Sequence, residues 1–216
     1  MAKAGLPQIR FRDSYLLIGA IYDDISPAYN QSADELHKLD RWEIDAKLRA
    51  FQDAWRPYEE RILNGICDSL NLRFRQNMVD VYAAPFTTSF SSPLILATKY
   101  TPDRAIEVLA HELTHVLLYD NTSVEVDSFV EYEQKWRSDF GDEHDIITLI
   151  HIPVHAVLQY IFDDVLHEPE RTVNDKKACS NHPAYAKAWQ YVDQVGYENI
   201  LTQMQELIPA REELEL

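Results

Sequence analysis

Cysteine is scarce in this chain: Cys67 and Cys179 are the only two in 216 residues. Two distant thiols do not make a secreted disulfide framework, and from sequence they do not read as a thiolate metal site. Glycine is scarce too, with five in all, and no repeat, low-complexity tract or Gly/Ser linker interrupts the chain. The N-terminal stretch MAKAGLPQIR has no long apolar core or small-residue cleavage site. The apolar run from Tyr15 to Tyr22 falls well short of the roughly 20 residues a bilayer crossing needs. Positive charge is in short supply: 20 Lys and Arg stand against 36 Asp and Glu, a formal net charge of −16. Such a surface repels phosphate backbones and anionic lipid. The expectation is a soluble cytoplasmic protein with no nucleic-acid or membrane partner. Arg171, Lys176 and Lys177 form the one local basic group, which reads as a solvated loop.

What is present suits a folded core. The chain is 46% hydrophobic and 26% charged, enough to stabilise a domain without metal or disulfide staples. We read residues 1–216 as a single domain, with 1–30 as an N-terminal extension and 183–208 as a C-terminal helical region. Residues 8–22 are mostly apolar and fit either a strand or a short helix. From Ser32 to Leu70 the apolar residues recur at helical spacing, Ser32 and Glu35 resemble a capping box, and Pro57 divides the region. Residues 72–82 read as a strand with Leu72, Phe74, Gln76, Met78, Asp80 and Tyr82 on one parity. A second strand is expected over 94–100. Thr101 as N-cap and Pro102 at the first position then open a helix. Residues 142–166 form the most apolar segment, a buried helix kinked at Pro153, and a last helical region from Pro183 breaks at Gly196. The fold class is α+β: a small sheet packed on a mainly helical domain.

The chemistry concentrates in His111-Glu112-Leu113-Thr114-His115. Residues four apart on a helix face the same side, so both imidazoles can reach one ion, with Glu112 beside a water on that ion. A chance HExxH is expected in about one chain per hundred of this length. Here it falls inside an independently predicted helix with uncharged flanks.

The run VLAHELTHVL resembles the extended motif of the zincin metallopeptidases. That resemblance is close from Leu94 to Asp120 and loose elsewhere. It implies a catalytic zinc held by His111 and His115, Glu112 as the general base, and an edge strand at 94–100 along which a peptide aligns. Within the zincins, the metzincin pattern needs Gly at 118 and His or Asp at 121, but the chain has Leu118 and Asn121, and Met204 is the only methionine downstream. The gluzincin-like pattern, with its third ligand on a later helix, is left. That ligand is ordinarily a Glu, and none lies between His144 and Leu166. His151 takes the third position in our reading. His155, one turn on, is the alternative ligand or a supporting group, and Glu143 and Glu131 are further candidates. Tyr119, Tyr160, Tyr185, Tyr191 and Tyr197 each could supply a hydroxyl to a developing oxyanion, and sequence selects none of them.

The expected function is a zinc-dependent hydrolase, foremost a metallopeptidase acting on a peptide or protein. The alternatives are a nonpeptide amidase using the same site, and a zincin-fold zinc-binding regulatory or interaction protein without turnover.

Overall fold

The computed structural model describes residues 5–12, 41–85, 88–121, 136 and 145–208. Ser32, Glu35, Glu131 and Glu143 lie outside the described residues. The architecture is α+β, seven α-helices and a four-stranded sheet among the described residues. The chain divides into two compact units. One is built around the sheet and the other is helical.

The sheet unit contains β1 (Gln8–Arg12), α1 (Arg41–Trp55), β2 (Met78–Ala84), β3 (Phe90–Ser91) and β4 (Leu94–Ala97), in strand order β1-β2-β4-β3. β1 is parallel to β2 and β2 to β4, whereas β3 runs antiparallel to β4. Arg10 sits opposite Asp80 in the β1–β2 register and donates to both carboxylate oxygens, at 2.7 and 2.9 Å. This bidentate pair holds the register of two parallel strands that no short turn connects. α1 packs on β1 and β2, burying Ile44, Leu48, Phe51 and Trp55 at helical spacing.

Two strand expectations change. The strand expected over 72–82 begins at Met78, as β2, and it buries Val79, Val81 and Ala83 rather than the parity that Leu72, Phe74 and Met78 share. Leu72 and Phe74 are buried but precede the strand. Asn71 takes a left-handed φ of 53°, and the Leu72 amide donates back to the Cys67 carbonyl at 3.0 Å. That is a helix-ending motif with an apolar residue just beyond the stop, so Leu72 belongs to the exit from a helix. In addition, β4 is not an edge strand. It is fully buried, pairs with β2 on one side and with β3 on the other, and β3 holds the edge.

The motif helix α3 (Pro102–Asn121) runs through both units, and the division falls between Glu112 and Leu113. Its start is as the sequence predicts: Thr101 Oγ1 accepts from the Arg104 amide at 3.2 Å, and the Thr101 carbonyl accepts from Ala105 at 2.9 Å. At its end Asn121 Nδ2 donates to the carbonyls of Leu117 (2.8 Å) and Arg73 (2.9 Å). Asn121 thus satisfies carbonyls that the helix terminus leaves open.

The helical unit comprises most of α2 (Glu59–Leu70), the last turns of α3, α4 (Ile146–Tyr160), α5 (Pro169–Cys179), α6 (Pro183–Val195) and α7 (Tyr197–Leu207). α4 is its centre and packs against α5, α6 and α7. Asp145 caps α4 by accepting from the Ile147 amide at 2.9 Å. The helix passes through Pro153 and then widens into a π-helical turn, Ile161–Val165, closed by a 2.8 Å bond from Leu166 N to Ile161 O. α2 approaches that turn closely at Gly65, where an added Cβ would come within 3.3 Å of Ile161 and Val165 side chains. By length and composition Ile146–Val165 would suffice to cross a bilayer, but 67% of its most apolar 18-residue window is buried inside the protein, as befits a core helix.

Arg171, Lys176 and Lys177, expected in a solvated loop, lie instead on helix α5. Arg171 is buried and its Nε lies 2.5 Å from a Glu168 carboxylate oxygen, while Lys176 pairs with Asp193.

Because Thr101 is the side-chain cap of the motif helix, Thr101→Ala is expected to lower unfolding free energy by about 1 kcal/mol, with Thr101→Ser close to neutral. Urea denaturation of the three proteins checks this, and equal midpoints for parent and Thr101→Ala would contradict it.

Candidate metal centre

The 3.6-residue period of α3 places His111 and His115 one turn apart on one face. His115 and His151 come together within the helical unit, with ring centroids 5.0 Å apart and planes nearly perpendicular at 78°. One potential ligand atom from each of His111, His115 and His151 lies within 4.8 Å of the others. His115 and His151 are buried and His111 is half-buried.

The tautomer of the third imidazole follows from its partner. His151 Nδ1 lies 2.7 Å from the Ile147 carbonyl oxygen. A carbonyl only accepts, so Nδ1 carries the hydrogen and Nε2 carries the lone pair. A backbone carbonyl holding one ring nitrogen is the usual way a protein orients a metal-binding histidine. Burial pushes the His115 pKa down to about 3, with the neighbouring His151 adding to the effect. Burial likewise lowers His151 to about 4, partly opposed by its bond to Ile147. Both rings are therefore neutral near pH 7, the form in which imidazole binds a metal.

Glu112 is buried, and burial alone raises its carboxyl to about 8. A cation on the adjacent imidazoles would act in the opposite direction and favour the carboxylate. The three imidazoles could together hold a metal ion, and three protein ligands leave a coordination position open.

His155 has other surroundings. Its ring stacks on Trp189 (centroids 4.4 Å, planes 9° apart), and it groups with Asp175 and Cys179 rather than with the three histidines. Tyr185 packs against His151 at 4.1 Å and Tyr119 stacks on His115 at 6.1 Å. Both belong to the tyrosines that the sequence offers as hydroxyl donors. Neither has a sequence signature that sets it apart from the rest. The Tyr197 hydroxyl is already committed to Asp164 at 2.6 Å. His182 and His167 are exposed, with His182 against Tyr185.

Comparison of the chain with family models, with curated proteins and with solved structures yields no match.

These ionisations set the pH dependence of the metal-free protein. The two histidines, lowered on folding, contribute stability that is present above about 6.5 and lost as pH falls toward 4 and below. Glu112, raised on folding, contributes stability that is complete below about 4.5 and lost as pH rises toward 8. From about 6.5 to 8 the Glu112 effect acts without the histidines, so stability with chelator present should decline across that window. Glu112→Gln should flatten the decline. Parallel slopes for the two proteins in denaturant titrations at several pH values would show that Glu112 is not held protonated.

Proposed function

We propose that this chain is a zinc-dependent hydrolase, and most specifically a metallopeptidase, with Glu112 as general base. The observation that carries this reading is the convergence of a third imidazole, His151, with its Nε2 lone pair defined, on the two histidines of an HExxH helix. His111, His115 and His151 would hold the ion. Zinc in such a set acidifies water and polarises a carbonyl oxygen.

The remaining work falls to the chain. Glu112 follows His111 directly on α3 and takes the proton from the attacking water. It then passes that proton to the departing amine, so one carboxylate serves as base and then as acid. Its buried setting strengthens each of these electrostatic interactions relative to water. Peptide substrate rather than another amide is supported by the likeness of VLAHELTHVL to zincins. A second reading, a nonpeptide amidase, draws support from β4: strand addition along it is blocked where β3 and β2 already pair with it.

Glu112→Gln should retain metal at the histidine centre while slowing hydrolysis by about 10²- to 10⁴-fold, the usual worth of a positioned base. A peptide-library digest of zinc-loaded parent and variant measures this. A variant with the parental rate would remove Glu112 from the mechanism. A zinc-loaded parent inert toward both peptides and simple amides would favour a zinc-binding role without turnover.

A further inference from the structure

We propose that His155, Asp175 and Cys179 form a second metal site, distinct from the histidine centre, that takes a thiophilic divalent cation of the zinc class. None of the three belongs to the HExxH cluster, and the inference stands whether or not the chain is a hydrolase.

Each residue offers one donor atom, and the three donors lie within 4.8 Å of one another. All are deeply buried: His155 is 0% exposed, Asp175 2% and Cys179 6%. Imidazole, carboxylate and thiolate are the three ligand types zinc accepts. The best-defined pair has ligand geometry. Asp175 and Cys179 stand four residues apart on α5, and the Cys179 thiol donates to Asp175 Oδ2 at 3.6 Å, a proton that a bound cation would displace. Around a tetrahedral ion with a sulfur at about 2.3 Å and an oxygen at about 2.0 Å, those atoms stand about 3.5 Å apart. The metal-free spacing therefore already matches the edge of a coordination tetrahedron.

The supporting groups are also in place. Trp189 Nε1 donates to Asp175 Oδ2 at 3.0 Å, fixing the carboxylate, and the same indole carries the stacked His155 ring. Trp189 thus orients two of the three donors, as outer groups do in established metal sites. Three donors leave one tetrahedral position for a small ligand such as water. The site joins α4, α5 and α6 within the helical unit. It lies one turn along α4 from His151.

Cobalt(II) tests this on the full chain, because a thiolate ligand gives a sulfur-to-cobalt charge-transfer band that the all-nitrogen centre cannot produce. The band should appear in the parent, persist in Cys67→Ser and His111→Ala, and vanish in Cys179→Ser. Asp175→Asn keeps an oxygen acceptor for the Trp189 indole but lacks the charge. It should fold as the parent does by circular dichroism while binding cobalt at least about tenfold more weakly, as measured by titration of the band. No sulfur band in folded parent at saturating cobalt, or a band that survives Cys179→Ser, overturns the proposal. Should Cys179→Ser fail to fold, Asp175→Asn decides: unchanged cobalt affinity would show that the cluster only packs the helices.

Discussion

The hydrogen bond from His151 Nδ1 to the Ile147 carbonyl sets the chemistry of the histidine centre. Without it the third ring could present either nitrogen. With it, the hydrogen is committed to the backbone and the lone pair sits on Nε2. Ile147 is anchored at both of its polar groups, since its own amide donates to the Asp145 cap. The third imidazole is therefore positioned from the start of α4, a part of the helix that the cap makes rigid.

Much of the fold could be read locally. Thr101, Pro102 and the apolar face of α3 announce the motif helix through interactions within a few residues, and these are the interactions the structure shows. Gly196 ends α6 with a φ of 88°, and Pro57 lies in the turn separating α1 from α2, again from local geometry. The second strand was harder. Apolar residues on both parities obscured where the helix exit stopped and the strand began, and the left-handed turn at Asn71 carries no apolar signal. The interior position of β4 depends on β3, two residues long and invisible to periodicity.

Site residues on different helices were the least legible. His151 and His155 share one helix and a four-residue spacing, so sequence assigns both to the same face. Both rings meet Tyr185, but their other partners differ: Ile147 and His115 for one, Trp189 and the Asp175–Cys179 pair for the other. Cys179 shows the same limit. Read along the chain it is an isolated thiol far from Cys67, but α5 brings it one turn from Asp175, and packing on α4 supplies the histidine. Asn121, which set the chain apart from the metzincin pattern, proves to be a helix-terminating side chain with two carbonyl partners.

In the proposed enzyme His151 binds metal through Nε2, with Nδ1 remaining protonated against Ile147. Nitrogen NMR of ring-labelled histidines during zinc titration measures both atoms at once. A coordination shift at His151 Nε2 is expected together with a retained Nδ1–H, and matching coordination of one nitrogen each from His111 and His115. A His151 ring unperturbed by zinc while His111 and His115 coordinate, or one that binds through Nδ1, would contradict it.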